Sequence, residues 1–236
     1  MSNESPKYAL LSQFAAVGKA LGHAHRLELL EFVAQGERSV DSLAERAGLT
    51  MGNASQHLQH LRRAGLVRSR RAGKRVLYRL SDETVVGLLS NLRQIAERNI
   101  AEVKQVLDGY FRERDALEPV SRDELMARMQ DGLVTLLDVR PEDEFLAGHL
   151  PGAINVPLQN LKDYLPDDLP DEHKIVAYCR GPYCVLSFEA VSALRERGIK
   201  VRRFEEGYPE WKAAGLPIEV TDRSELTDNS SRTNAT

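Results

Sequence analysis

Residues 49–80, LTMGNASQHLQHLRRAGLVRSRRAGKRVLYRL, change their period at Gly65, and that change decides the fold of the first half. Up to Arg63 the apolar positions Ala54, Leu58 and Leu61 recur at helical spacing, and Thr50 is placed to cap the helix they define. Beyond Gly65, apolar and charged residues alternate about a turn at Ala72-Gly73, which predicts a hairpin. With Ala54, Leu58 and Leu61 turned inward, the opposite helix face carries Gly52, Asn53, Gln56, Gln59, His60 and Arg63, with Ser55 at its edge. His57 falls near the inward side, where packing or hydrogen bonding is expected of it. The hairpin clusters Arg68, Arg70, Arg71, Lys74, Arg75 and Arg79. Amides and guanidinium groups of this kind read base edges and grip phosphates.

Working outward, Leu10, Leu11, Phe14, Val17 and Leu21 form a helical stripe over Tyr8 to Leu21. Leu27, Leu29, Leu30, Phe32 and Val33 continue in a second helix that stops at Gly36, and a short third helix runs from Val40 to Ala47 before Gly48. Downstream, Ser81 or Asp82 can cap a last helix carrying Val85, Leu88, Leu89, Leu92, Ile95, Ile100, Val103, Val106 and Leu107 to about Arg114. So long a helix with so wide an apolar face asks for a partner outside its own domain.

The 236 residues suit two domains. The formal charge of -3 conceals an asymmetry: residues 1–114 hold 18 Lys and Arg against 12 Asp and Glu, a net +6, while the remaining 14 and 23 give -9. A basic half can bind a polyanion such as DNA, and an acidic half is repelled from it. With 42% hydrophobic and 28% charged residues, no membrane-crossing run and no secretory signal at MSNESPKYALLSQF, a cytoplasmic protein is expected.

After a linker expected at 115–120, which contains Pro119, the pattern becomes α/β. A short helix (Arg122 to Met129) is followed by the apolar runs LVTLLDV and KIVAYC, expected as buried strands of a parallel sheet. A helix from Val185 to Arg197 and a strand from Lys200 to Phe204 continue the order, and a polar tail from residue 221 is expected to be disordered.

Both cysteines lie in AYCRGPYCVLSFEAV, residues 177–191. Two thiols this close in a cytosolic chain read as reactive, and two alone cannot complete a structural zinc site. Cys179 follows an apolar strand directly. The loop of Arg180, Gly181, Pro182 and Tyr183, with a helix N-terminus behind it, would favour a thiolate and an anion bound to it.

Residues 5–114 resemble the ArsR family of winged-helix repressors, most specifically through SQHLQHLRRAGLV followed by a basic wing and a Tyr-Arg-Leu strand. The resemblance implies a homodimer built from the first and last helices, binding an imperfect palindrome in double-stranded operator DNA. On this pattern Asn53, Ser55, Gln56, Gln59, His60, Arg63, Arg70, Arg71, Lys74 and Arg75 are the expected DNA-binding residues. Metal-sensing members use a Cys-x-Cys pair near the third helix or ligands on the last one. Here the third helix reads SVDSLAERAG, and no cysteine precedes Cys179.

Residues 120–220 resemble the rhodanese family through LLDVRPEDEFLAGHLPGAINVPL, VAYCRGPYC and VRRFEEGYPEWKAAGLPI. Rhodaneses carry sulfane sulfur as a persulfide on the cysteine matched by Cys179, cradled by loop amides from Arg180 to Cys184. Asp138, Arg140, Glu144, His149 and Asn155 match positions that organise the fold, and Val185 stands where a phosphatase-like relative needs Arg. Cys184 is a departure, and disulfide reach to Cys179 needs only Cα atoms about 4.4–6.8 Å apart.

The fold expected is therefore a mainly α, dimeric winged helix-turn-helix over 1–114 and an α/β rhodanese-like domain with a central parallel sheet over 121–220. The function expected is a repressor whose rhodanese-like domain senses or carries sulfane sulfur, from polysulfide, thiosulfate or a low-molecular-weight persulfide, or a related thiol-reactive species, with Cys179 as nucleophile and Cys184 as resolving thiol. A sulfurtransferase enzyme that also represses its own operon, and a sensor of arsenite or another soft ion through the dithiol, are the alternatives. No metal, cofactor or membrane partner is expected.

Overall fold

The structure, a computed structural model, describes residues 5–112, 119–161 and 174–221. The chain divides into two compact units, one ending at Leu89 and the other beginning at Ser90.

In the first unit, hydroxyl caps start three of the helices. Ser5 Oγ accepts from the Tyr8 amide at 3.3 Å ahead of α1 (Pro6–Leu21), and Ser39 Oγ accepts from the Ser42 amide at 3.3 Å ahead of α3 (Val40–Arg46). Thr50 caps α4 (Met51–Arg63) as expected, accepting from the Asn53 amide at 3.3 Å. Between them lie α2 (Ala24–Ala34) and the short β1 (Arg38–Ser39). The basic hairpin is β2 (Val67–Ala72) and β3 (Arg75–Leu80), and β1 adds to it antiparallel in the order β1-β3-β2. Ala72 pairs with Arg75, so the turn is Gly73-Lys74, one residue beyond the expected Ala72-Gly73. Gly73, at φ 60°, supplies the left-handed conformation that the tight turn requires.

Leu29, Leu30, Leu43, Leu58 and Leu61 are fully buried and form the centre of this unit's core with Tyr78 and Val85. The apolar stripe of α1 behaves otherwise. Only Ala20 and Leu21 of that helix are buried, while Tyr8, Leu10, Leu11 and Phe14 are exposed.

The expected single last helix to Arg114 is interrupted. Asp82 Oδ1 accepts the Thr84 amide at 2.9 Å and starts α5 (Thr84–Asn99), which stops where Asn99 Nδ2 donates to the Ile95 carbonyl at 2.8 Å. An Asn side chain bonding back in this way competes with the helical ladder, and Ile100 is extended at φ -114°, ψ 111°. The chain resumes as α6 (Ala101–Val106) and a π-helical turn (Leu107–Arg112).

The second unit continues with α7 (Arg122–Gln130), β4 (Val134–Asp138), α8 (Glu142–Ala147), β5 (Ile154–Asn155), β6 (Lys174–Cys179), α9 (Val185–Glu196), β7 (Val201–Gly207) and α10 (Tyr208–Ala213). Its sheet is parallel in the order β5-β4-β6-β7. Strand alternation divides the core between two faces: Leu137, Ala177 and Val201 pack with Val191 and Leu194 of α9, and Leu136, Val176 and Phe204 pack with Leu125 and Trp211. The expected linker at 115–120 is corrected at its end. Val120 is fully buried, donates its amide to Arg203 O at 2.7 Å and accepts from the Glu205 amide at 3.0 Å, so it belongs to the sheet edge. Residues 115–118 of that linker, and the expected tail beyond Thr221, lie outside the described residues.

No helix among the described residues is long and apolar enough to cross a membrane.

Candidate functional site

The helix-turn-helix is built by α3, the turn at Ala47–Thr50 and α4. Ala54, Leu58 and Leu61 are fully buried, which fixes the rotation of α4 and leaves Asn53, Gln56, Gln59, His60 and Arg63 exposed, with Ser55 partly covered. Gln59 Nε2 donates to Ser55 Oγ at 3.4 Å, and Arg62 Nη1 donates to Ser69 Oγ at 3.2 Å, tying α4 to the hairpin. In the hairpin Arg68, Arg71, Lys74, Arg75 and Arg79 are exposed. Arg70 is exposed too, but its guanidinium clasps both carboxylate oxygens of Glu37, with Nε to Oε1 at 2.8 Å. Any phosphate contact by Arg70 would replace that pair, which sequence reading missed because the partner lies 33 residues away.

His57 sits on the inner side of α4, as expected. Its ring centroid lies 4.5 Å from that of His23 and 6.0 Å from that of His25, and its Nδ1 is buried without a hydrogen-bond partner among the described residues. Burial first, and then His23 and Arg26, hold its pKa below the ordinary 6.5. Among the described residues no group of three or more His, Cys, Asp or Glu side chains is disposed to hold a metal ion.

The cysteine loop is built where β6 ends against β7. Cys179 pairs with Gly207 just past a register irregularity between Ala177 and Cys179. A Cβ on Gly207 would run into the backbone of Arg180 and Gly181, 2.6 Å from Gly181 Cα, so the loop lies directly on this glycine. Cys184 occupies the N-cap position of α9, and the two cysteines form a disulfide, their Cα atoms 6.2 Å apart. Cys179 is 1% exposed, in an apolar cluster with Leu137, Val139 and Val191, while Cys184 is partly exposed.

The expected cradle of loop amides is narrower than the sequence implied. Pro182 has no N–H to offer. The Cys184 amide donates to Gly181 O at 3.2 Å, closing a turn, and the Ser187 amide and hydroxyl both donate to Cys184 O, at 3.0 and 2.8 Å.

Side chains hold the loop from several directions. Arg180 makes a bidentate pair with the fully buried Glu144, Nε to Oε2 and Nη2 to Oε1 both at 2.8 Å. Arg203 Nη1 donates to Pro182 O at 3.2 Å while its guanidinium lies 4.3 Å from the centre of the Phe188 ring. Tyr183 and Glu97 line one cleft, and burial, reinforced by Glu97, pushes the pKa of Tyr183 up. Beneath the loop, the fully buried Asp138 and Arg140 pair at 2.6 Å, and Arg140 Nη2 also donates to Gly148 O at 2.7 Å. Burial opposes the charge of Arg140, but Asp138, with Tyr178 and Glu144 acting in the same direction, outweighs it and the Arg140 pKa is raised. His149 Nδ1 lies 2.9 Å from Phe145 O, and Asn155 Nδ2 donates to the carbonyls of Asp138 and Arg140, both at 3.0 Å. Of the five residues read as organising the fold, Glu144 thus reaches the loop itself.

Sequence reading missed Arg93 and Glu97 of α5, and Gly207 and Glu210 beside the loop. Glu210 had a visible signal: it stands three residues after Gly207, the spacing at which a carboxylate reaches back to cap a helix, and its Oε2 accepts the Gly207 amide at 3.2 Å.

With this geometry in hand, the chain matches the helix-turn-helix domain family over residues 21–70 and the rhodanese-like domain family over residues 121–214. It is 44% identical over 214 residues to the HTH-type transcriptional regulator Rv0324 of Mycobacterium tuberculosis, an alignment covering 90% of this chain and 93% of that one. It is 35% identical over 104 residues to the uncharacterized HTH-type transcriptional regulator Rv0081 of the same organism, covering 44% and 89%. Among solved structures it is similar to the homodimeric winged helix-turn-helix DNA-binding domain of Mb0332 from Mycobacterium bovis. That likeness has 42% identity and a TM-score of 0.38, and covers 42% of this chain and 94% of that one.

Proposed function

The chain belongs to the ArsR-type helix-turn-helix transcriptional regulators that carry a C-terminal rhodanese-like domain, and on that premise we propose that it is a repressor whose DNA affinity is set by sulfur chemistry at Cys179 and Cys184. The single observation that carries this reading is the placement of both of the chain's cysteines in one short loop, 6.2 Å apart at Cα and paired to one another.

The chemistry has two steps. The Cys179 thiolate attacks the terminal sulfur of a persulfide or polysulfide, and the donor leaves as a thiolate, so that one sulfur atom has moved to Cys179 Sγ. The Cys184 thiolate then attacks Cys179 Sγ, the bond to the added sulfur breaks, and hydrosulfide leaves. The donor is the oxidant: two thiols become one disulfide, and the donated sulfur ends as sulfide. Burial of Cys179 gives Cys184 and the loop control over access. A donor must displace the loop or enter before the pair closes.

On the DNA side, Asn53, Ser55, Gln56, Gln59, His60 and Arg63 of α4 enter the major groove, and Arg70, Arg71, Lys74 and Arg75 follow the backbone. The exposed Tyr8, Leu11 and Phe14 of α1 support a homodimer, because an amphipathic helix that leaves its apolar side uncovered in one chain can bury it against a second copy. The protein is placed in the cytoplasm, where operator DNA and low-molecular-weight persulfides occur together.

Intact-mass spectrometry of reduced protein after polysulfide treatment tests the sulfur chemistry. The expected product is a species two hydrogens lighter, preceded by a one-sulfur adduct on Cys179 that accumulates in Cys184→Ser. A protein whose mass does not change rejects the reading. Repeated turnover of thiosulfate with cyanide would favour a sulfurtransferase instead, and release from DNA by arsenite without a sulfur adduct would favour a soft-ion sensor.

A further inference from the structure

The cysteine loop has a second set of partners that lies outside residues 121–214, the span that matches the rhodanese-like family. They come from the C-terminal half of α5, in the same compact unit as the loop. Arg93 Nη2 donates to Glu210 Oε1 at 3.0 Å, and the two side chains are only 20% and 7% exposed. Glu210 in turn accepts the amide of Gly207, the residue paired with Cys179. A Cβ built on Gly181 would lie 3.5 Å from Arg93 Nη1 and 3.6 Å from Glu210 Oε1, so this ion pair forms a wall of the loop.

On the loop's other side, Tyr183 lines one cleft with Arg93 and Glu97, and its ring centroid lies 5.5 Å from that of Phe111. Tyr183 directly precedes Cys184. Arg93 and Glu97 are four residues apart, hence on one helix face. The same helix begins with Val85 and Leu89, which are buried in the core of the first unit. One unbroken element therefore carries core residues of the winged helix-turn-helix at its start and the supports of the cysteine loop at its end.

We propose that Arg93 and Glu97 are positioning residues of the cysteine loop, and that α5 is the element through which the loop and the DNA-binding unit are energetically linked. The linkage to DNA rests on the proposed sulfur chemistry; the positioning role does not. Drawing Cys184 onto Cys179 or releasing it changes the path of Arg180 to Tyr183. The contacts that Arg93 and Glu97 make with the loop then differ between the two states. A difference in contact free energy is what allows a change at one site to shift an equilibrium at another. An apolar cleft lined by Val103, Val106, Leu107, Phe111 and Tyr183 lies beside the loop and gives the Tyr183 ring somewhere to move.

The test uses full-length protein in four forms: unaltered, Arg93→Met, Arg93→Lys and Glu97→Gln. The first readout is the pH profile of alkylation of the reduced cysteines by iodoacetamide, resolved by mass spectrometry. The second is the ratio of affinities, reduced to polysulfide-treated, for a labelled duplex from upstream of the protein's own coding sequence. Arg93→Met is expected to move the alkylation midpoint by about half a pH unit or more, through loss of a cation beside the loop. It should also cut the affinity ratio about threefold or more. Arg93→Lys should restore most of both, and Glu97→Gln should lower the ratio with a smaller change in midpoint. An alkylation profile unchanged in both Arg93→Met and Glu97→Gln overturns the positioning role. An unchanged affinity ratio in a variant with a shifted profile overturns the linkage. Failure of the unaltered protein to take up sulfur would defeat the proposed chemistry and leave the positioning role to be judged on the alkylation profile, which is measured on reduced thiols.

Discussion

Arg180 and Glu144 form a two-pronged ion pair beside Cys179, with the carboxylate fully buried and the guanidinium 19% exposed. The cation next to the candidate nucleophile is therefore matched by an anion, and it anchors the loop as much as it adds positive potential. Replacing Glu144 with Gln keeps the shape and one acceptor while removing the charge. The expected result is a loss of about 1–3 kcal/mol in chemical denaturation, from a weakened buried bond. Alkylation of the reduced loop cysteines should also become faster, by roughly threefold, because Arg180 is no longer offset. Unchanged stability with unchanged alkylation would show that the pair does neither.

Gly207 gives a steric prediction. Because Arg180 and Gly181 rest on its Cα, Gly207→Ala must push the loop off β7. Polysulfide-driven disulfide formation, followed by intact mass, should slow about tenfold or more, as expected when a reactive geometry is displaced by about 1 Å. Circular dichroism should meanwhile keep the secondary structure of the unaltered protein. A rate within twofold of the unaltered protein would mean that the loop does not depend on this contact.

How much of this was legible in the residues depends on the range of the interaction. The α4 face followed from three apolar positions, because burial of Ala54, Leu58 and Leu61 alone fixes the rotation of a helix. The parallel strands followed from uninterrupted apolar runs for the same reason. The break at Ile100 was not legible in that way: it turns on an Asn99 side chain choosing the Ile95 carbonyl over water, and apolar periodicity continues across it. Nor was the linker's end, since Val120 joins the sheet through backbone bonds to residues more than eighty positions away. The cysteine loop was visible as a motif. Its supports were not, because Arg93 and Glu210 are 117 residues apart and neither belongs to a pattern with the other.

His57 makes the DNA-binding unit sensitive to acid. Its pKa in the folded chain is held below 6.5 by burial and by His23 and Arg26, with His25 and His60 adding to the same effect. The unfolded chain therefore takes up a proton on His57 at a higher pH than the folded one does. Stability is lost as pH falls from about 6.5 toward the folded value. Thermal unfolding followed between about pH 7 and pH 5 should show a falling midpoint that is shallower in His57→Gln. Parallel profiles would contradict the assignment.

The two groups of residues proposed to contact DNA should separate by salt. Arg75→Ala, which removes an exposed cation, should weaken all duplexes alike and lower the salt slope of log affinity by about 1. Gln56→Ala should leave the slope intact and relax discrimination between operator and unrelated duplex by about 1–3 kcal/mol. Fluorescence anisotropy across a salt series checks both, and a Gln56→Ala protein with unaltered discrimination would place base reading elsewhere on α4.

The central claim is that the sulfur state of Cys179 and Cys184 sets affinity for DNA, and equilibrium anisotropy with the upstream duplex tests it most directly. Reduced protein, polysulfide-treated protein and a polysulfide-treated Cys179→Ser variant are compared at one salt concentration. The account predicts that treatment weakens binding of the unaltered protein by about tenfold or more, on the order of 1.4 kcal/mol, and leaves Cys179→Ser unchanged. Identical binding by reduced and treated protein, or equal release of Cys179→Ser, would contradict it.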